Sequence, residues 1–375
     1  MASRDTPYIG ALDGLRGVAA LVVVFAHTSA GLRMPKATRE SFFEGPFFPL
    51  VNADGAVQLF FVLSGFVLAG SLARNRTRSD LAAYGVKRVF RIHPPYVVAV
   101  LFAWGMSFFY QVTNLTPFLD RYARVHLDPS QLPIALRFPG SAFKQLPVGW
   151  SLEAEMVFSF LLPVMIFVMR RSHPALLMVG SAGLLWADQP LRYALPFALG
   201  LLAYEHRESI ERWVSRLPGP IAFIALATSI VVWSSPWTLG LRELSATHHQ
   251  PIVVTCYGFG SLALMSLVAY RPGLNRLFSL PPVAWVGRVS YSLYLVHFTV
   301  ILMLAPYLGG DLSWGVGVRL YAGVLVASLA ISAICHAYVE APSIRVGNLI
   351  CGWIQARFGG AGVRSERARS EVGSG

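Results

Sequence analysis

Residues 11–32, ALDGLRGVAALVVVFAHTSAGL, decide the fold. The run is apolar over the roughly 20 residues that an α-helix needs to cross about 30 Å of hydrocarbon. Beyond Asp13 at its start, two ionisable side chains interrupt it, Arg16 and His27. Eleven steps of about 100° make nearly three whole turns, so both lie on one helix face, roughly 16 Å apart along the axis. They cannot touch. An ionisable group at membrane depth costs on the order of 3 kcal/mol, which makes each a candidate functional group. Arg16 suits an anion anchor, or else a snorkelling cation paired with Asp13. His27 suits a proton-handling group, or else a helix-to-helix hydrogen bond.

Nine more apolar stretches follow: 55–73, 92–113, 148–169, 174–187, 189–204, 217–236, 251–270, 289–308 and 315–338. The pattern predicts an all-α polytopic membrane protein with about ten transmembrane helices. The stretches 174–187 and 189–204 are short and separated only by Asp188-Gln189-Pro190, so a re-entrant hairpin is the alternative to two full spans. The insertion 114–146 carries Pro117, Pro129, Pro133 and Pro139 and reads as an extended loop. The membrane domain is expected over 1–342. A cytoplasmic polar tail over 343–375 begins with a short interfacial helix near 344–358 and is partly disordered beyond it.

Composition agrees. The 375 residues are 55% apolar and 13% charged, with a net charge of +12 and a mean hydropathy of +0.54. Soluble domains are about 25% charged. A basic balance normally points to nucleic acid, but no polar domain is left to present a basic face, so no nucleic-acid partner is expected. The charge instead orients the spans. With both termini cytoplasmic, twenty Lys and Arg fall in cytoplasmic segments and nine in outer loops. Arg16, the run Val18–Ala26 and small Ser29, Ala30 and Gly31 imitate a signal peptide. Cleavage there would leave an odd number of spans and a poorer charge bias. Cys256, Cys335 and Cys351 are scattered, without metal-like or disulfide spacing. His248-His249 lacks a third ligand at zinc spacing, so no metal site is expected.

The other ionisable residues within spans are Glu153, Glu155, His297, Arg319 and His336. In Gly149-Trp150-Ser151-Leu152-Glu153-Ala154-Glu155, Ser151 and Glu155 share a helix face and Glu153 points away. Glu153 reads as a first-turn acid favoured by the helix dipole, and Glu155 as the group that orients a site. In Ser290-Tyr291-Ser292-Leu293-Tyr294-Leu295-Val296-His297, the residues Ser290, Tyr294 and His297 share a face. These are substrate-site candidates, or else a polar seam between helices. His336 and Arg319 read as structural. Gly65 and Ala69 have small-xxx-small packing spacing. In Lys87-Arg88-Val89-Phe90-Arg91, the arginines three apart form a paired cationic edge suited to phosphate. Pro94-Pro95 is expected to stop any earlier helix.

In this order the elements resemble the acyltransferase-3 family of integral membrane acyltransferases. The matching residues are Asp13-Gly14-Leu15-Arg16-Gly17, the Arg-x10-His of the first span, Phe60-Phe61-Val62-Leu63-Ser64-Gly65-Phe66, and Arg88-x2-Arg91. Trp150-Ser151-Leu152-x2-Glu155, the 290–297 segment and Tyr338-Val339-Glu340 complete the set. The resemblance implies an O-acyltransferase of ten helices in the bacterial inner membrane. It would move an acyl group, most often acetyl, from cytoplasmic acyl-CoA to a hydroxyl of an envelope glycan, glycolipid or small molecule. It implies that Arg16 and His27 are required and that Arg88 and Arg91 lie on the donor side. One departure is Gln58, where many relatives carry Asp.

On this reading no cofactor is permanently bound, and acyl-CoA is a substrate. Arg88 and Arg91 hold the donor's phosphates, with Arg16 a deeper contact. His27 takes the proton of the attacking hydroxyl. Glu155, Ser290, Tyr294 and His297 orient groups around it. Direct transfer and an acyl-histidine intermediate both remain open. The competing class is a multispan transporter or flippase without chemistry, which would release no CoA thiol.

Overall fold

A computed structural model of the protein describes residues 9–32, 34–73, 78–110, 115–123, 130, 132–137, 146–238, 251–304 and 314–372. Among the described residues the chain is helical and has no strand. In chain order the helices are α1 (Gly10–Gly31), α2 (Lys36–Phe43), α3 (Ala53–Leu72), α4 (Arg78–Ser107), α5 (Pro117–Ala123), α6 (Leu132–Arg137), α7 (Gly149–Arg171) and α8 (Pro174–Gly183). Then come α9 (Ala194–Glu205), α10 (Arg207–Arg216), α11 (Gly219–Thr238), α12 (Pro251–Tyr270), α13 (Pro272–Phe278), α14 (Pro281–Leu304), α15 (Trp314–Cys335) and α16 (Ala341–Val372). A π turn, His336–Glu340, joins the last two.

The protein is an all-α, multi-pass membrane protein. Seven helical stretches among the described residues are long and apolar enough to cross a bilayer. They are α1, α3, Ser79–Ser107 of α4, α7, α12, α14 and the continuous Val318–Arg357. Pro174–Trp186 and Gly219–Ser235 are shorter apolar helices. The 12 residues of α9 span only about 18 Å, short of a crossing. Helices α8 and α9 pack on each other, with Asp188-Gln189-Pro190 in the connection between them. The helix near 344–358 is also longer than its apolar pattern indicates, running to Val372.

Pro94 and Pro95 do not stop a helix. They lie inside the 30 residues of α4. Neither has an N–H, so the Phe90 and Arg91 carbonyls lose their usual partners four residues on. Neighbouring helices pack over the same stretch and hold it, as is common within membranes. The Tyr291 hydroxyl of α14 donates to the Ile92 carbonyl at 2.8 Å. Helix α16 lies along α4 so closely that a Cβ on Gly347 would come 2.7 Å from the Phe90 Cβ.

The centre of the bundle is built on close approach of backbones. Helix α1 packs chiefly on α14, and α3 on α9. A Cβ at Gly17 would come 2.6 Å from the Gly287 nitrogen, and one at Gly287 would overlap the Asp13 carbonyl. Gly65 and Gly200 make the same kind of contact between α3 and α9. Lipid tails are as apolar as leucine, so close packing of small residues takes over the role that hydrophobic burial has in water. Gly287→Ala is therefore expected to force α1 and α14 apart, at about 1–3 kcal/mol. The melting temperature in detergent should fall by several degrees, and an unchanged value would show that the interface yields freely.

Candidate active site

Four helices carry the residues singled out by the sequence, and α3 lines the space between them. Helix α1 contributes Arg16 and His27, α4 contributes Arg88 and Arg91, α7 contributes Ser151 and Glu155, and α14 contributes Ser290, Tyr294 and His297. They surround two cavities.

The first cavity, about 110 Å³, is lined by Arg16, Arg88, Arg91, Glu155, Ser151, Ser290, Tyr291 and Tyr294. Three guanidinium groups face one carboxylate, so the cavity is net cationic. Arg16 Nη1 pairs with Asp13 at 3.0 Å, the pairing open to it from sequence, yet its side chain still reaches the cavity. Among the described residues neither Arg88 nor Arg91 has a carboxylate within salt-bridge distance. Their donor forks are therefore available to an anion. Glu153 does not line this cavity, and it lies beyond the first turn of α7, which has no acid. The dipole account of Glu153 is thus not supported, whereas Glu155 does face the site.

The second cavity is larger, about 350 Å³. His27 lines it together with Asn52, Asp54, Gln58, Trp150, Gln189 and Tyr193. Phe118 and Tyr122, from α5 in the segment read as an extended loop, close one side. Much of the polar lining is already engaged. Asn52 donates to the Trp233 carbonyl at 2.8 Å and accepts from the Gly55 amide at 3.0 Å, which caps α3. Gln189 donates to the Tyr193 hydroxyl at 3.1 Å. The Trp150 and Tyr193 rings lie 5.3 Å apart.

Val57 and Tyr294 line both cavities. The Tyr294 hydroxyl is 2.7 Å from Ser151 Oγ, which itself donates to the Val148 carbonyl at 2.8 Å. A hydroxyl has one proton, so Tyr294 donates to Ser151. Tyr294 is thus in the wall common to the arginine cavity and the His27 cavity. Ser290 lines the first cavity but donates its own proton to the Gly287 carbonyl at 2.7 Å.

His297 lies in a polar seam between α14 and α1 rather than in a cavity wall. It is fully buried and lines neither cavity. Its Nε2 lies 2.9 Å from Nδ1 of His27. The ring planes are within 3° and the centroids 5.2 Å apart. With the two nitrogens only 2.9 Å apart, that centroid distance leaves room for little more than the two ring radii. The rings meet edge to edge in a shared plane, as hydrogen-bonded imidazoles do, and are not stacked face on face. His297 Nδ1 is 2.8 Å from the Tyr294 carbonyl and 3.2 Å from that of Leu293.

Other polar residues fall outside the site. Glu340, buried in the π turn, accepts from Ser292 at 2.7 Å and contacts His336 at 3.1 Å. His336 is structural in this sense, and Arg319 lies on an exposed face. His248-His249 lies outside the described residues. Sequence reading missed Asn52, Asp54, Gln189 and Tyr193 in the second cavity. Their only signal is polar or aromatic character at predicted helix ends, which is common in any membrane protein. Among the described residues no three His, Cys, Asp or Glu side chains cluster as metal ligands.

A family model described as an acyltransferase domain, that of acyltransferase 3, matches residues 9–337. "Protein 2 in picA locus" of Rhizobium radiobacter is 32% identical over 162 residues, 39% of this chain and 76% of that protein. Nodulation protein 10 of Rhizobium leguminosarum bv. viciae is 24% identical over 374 residues, covering 89% of this chain and 93% of its own length. Acyltransferase MdmB of Streptomyces mycarofaciens is likewise 24% identical over 374 residues, with 89% and 91% covered. No solved structure matches the chain. The matched model covers both ends of the α1–α14 contact and every helix around the two cavities, and the chain belongs to the acyltransferase-3 family of membrane O-acyltransferases.

Proposed function

We propose that the protein transfers an acyl group, acetyl in the first instance, from acyl-CoA to a hydroxyl of an envelope glycan, glycolipid or small molecule. On this reading it works in the bacterial inner membrane, with both termini and the arginine cavity on the cytoplasmic side. Residues 1–342 form the catalytic membrane domain and 343–375 a cytoplasmic extension. The observation that carries the reading is the meeting of two unlike cavities at Tyr294. One is cationic and suits the phosphates of coenzyme A. The other is aromatic and polar, suits a hydroxylated acceptor, and has His27 in its wall.

The chemistry follows from the arrangement. Arg88 and Arg91 hold donor phosphates, with Arg16 deeper. The pantetheine arm runs past Tyr294 and Ser151 and brings the thioester to His27. His27 accepts the proton of the acceptor hydroxyl as its oxygen attacks the thioester carbonyl. The new C–O bond forms, the C–S bond breaks, and the proton returns to the leaving thiolate to give free CoA. Glu155 faces the arginine cluster and limits its net charge.

Family membership favours chemistry over transport without chemistry. The experiment is release of CoA thiol by the purified protein in lipid nanodiscs supplied with acetyl-CoA and a hydroxylated acceptor. The proposal expects acceptor-dependent thiol release and an acylated product. Passage of substrate with no thiol released would support the transporter reading instead.

A further inference from the structure

We infer that His297 is a positioning residue that locks His27 in one tautomer, so that Nε2 of His27, and not Nδ1, is the nitrogen that takes the acceptor's proton. The inference rests on the reading of His27 as the base and goes beyond it by assigning the atom and the group that selects it.

The Tyr294 and Leu293 carbonyls, 2.8 and 3.2 Å from His297 Nδ1, can only accept. Nδ1 of His297 therefore carries a hydrogen. A neutral imidazole has one N–H, so Nε2 of His297 carries a lone pair. That lone pair points at Nδ1 of His27, 2.9 Å away in the same plane. Nδ1 of His27 must then be the donor, which leaves its Nε2 unprotonated.

The alternative makes His297 an imidazolium that donates from both nitrogens. His297 is fully buried, and among the described residues neither ring bonds to a carboxylate. A bare cation there has no partner, and burying an unpaired charge is costly. The neutral relay, from the Tyr294 carbonyl through His297 to His27, satisfies every ring nitrogen except the one left for the substrate.

His297 thus does what a carboxylate does behind the histidine of a hydrolase triad: it fixes the ring and its tautomer. It does so without a formal charge. In a membrane interior that difference matters, because a buried carboxylate would itself need a cation when His27 is neutral. The helix supplies the orientation. His297 binds carbonyls three and four residues back on its own α14, so its ring is held by local geometry and α14 is held against α1 by the glycine contacts.

The test uses the full-length protein in nanodiscs with its histidines labelled by nitrogen-15. The His27 signals, assigned by loss in His27→Gln, report which ring nitrogen is protonated. The wild type is expected to show Nδ1 protonated and Nε2 bare. His297→Leu should release His27 to the Nε2–H form, or a mixture, and lower kcat for acyl-CoA-dependent thiol release about 10²-fold. The KM values for acetyl-CoA and for the acceptor should stay within about threefold. His297→Gln keeps an oxygen to accept from Nδ1 and should restore both the tautomer and most of kcat. An Nε2-protonated His27 in the wild type overturns the inference even if His297→Leu does not fold. So does full activity of His297→Leu. If instead the tautomer is as expected but His27→Ala keeps wild-type turnover, the base assignment fails and the catalytic part of the inference falls with it.

Discussion

His27→Ala is expected to lower acyl transfer by about 10²–10⁴-fold, the range that a positioned general base contributes. The effect should lie in kcat. Acetyl-CoA binding should be nearly unchanged, because Arg88 and Arg91 line a different cavity from His27. The alanine also leaves Nε2 of His297 without its donor, but this is a small loss in a side chain that still has its two carbonyl contacts. Steady-state thiol release with saturating donor measures the effect directly. Turnover within a few-fold of wild type would remove His27 from the chemistry. The same assay with His27→Gln separates the base from the hydrogen bond, since a glutamine can donate toward His297 but cannot take up a proton at this site.

The second large effect is expected at the donor. Arg88 and Arg91 are three residues apart on α4, line the cationic cavity, and have no carboxylate partner among the described residues. A hydrogen bond to a charged group contributes about 1.5–3 kcal/mol, or roughly 10–100-fold in affinity for each arginine. Arg88→Ala and Arg91→Ala should each weaken acetyl-CoA binding by that factor, with kcat at saturation changed much less. The double variant should also flatten the salt dependence of binding, because fewer charges remain to be screened. Titration of acetyl-CoA at two salt concentrations gives both quantities. Unchanged affinity and salt slope would reduce the cluster to an orientation signal for the helix. Lysine at either position should recover only part of the loss, since a point charge cannot hold a phosphate with two parallel N–H bonds. Arg16 is a weaker case by the same logic, because Asp13 already engages one of its nitrogens at 3.0 Å.

Several features were legible from residue order because they depend on local geometry. Arg16 and His27 share a face because eleven residues make nearly whole turns of a helix, and each lines a cavity on the bundle side of α1. Ser151 and Glu155 follow from the same arithmetic, as does the exclusion of Glu153. Gly65 and Ala69 announced close packing, and α9 meets α3 at Gly65. Pro94-Pro95 misled for an identifiable reason. The rule that proline ends a helix holds for a helix judged on its own, whereas here α14 and α16 pack over α4 and hold it through the prolines. The shared face of Ser290, Tyr294 and His297 was correct as geometry but wrong as a common role. Tyr294 lines both cavities, Ser290 is spent on its own helix, and His297 lies behind His27.

By itself, then, the sequence determined that this chain is a bundle of membrane helices with cationic and imidazole groups at set depths. Apolar length and helical period are properties of one segment at a time, and the solvent enforces them. Only the tertiary structure decided which nitrogen meets which. The 2.9 Å bond between His27 and His297 joins residues 270 positions apart. It exists because Gly17 and Gly287 let two backbones approach to a distance that any side chain would forbid. The separation of a cationic cavity from an aromatic and polar one, with Tyr294 lining both, likewise depends on how helices far apart in the chain pack together, and no single helix encodes it.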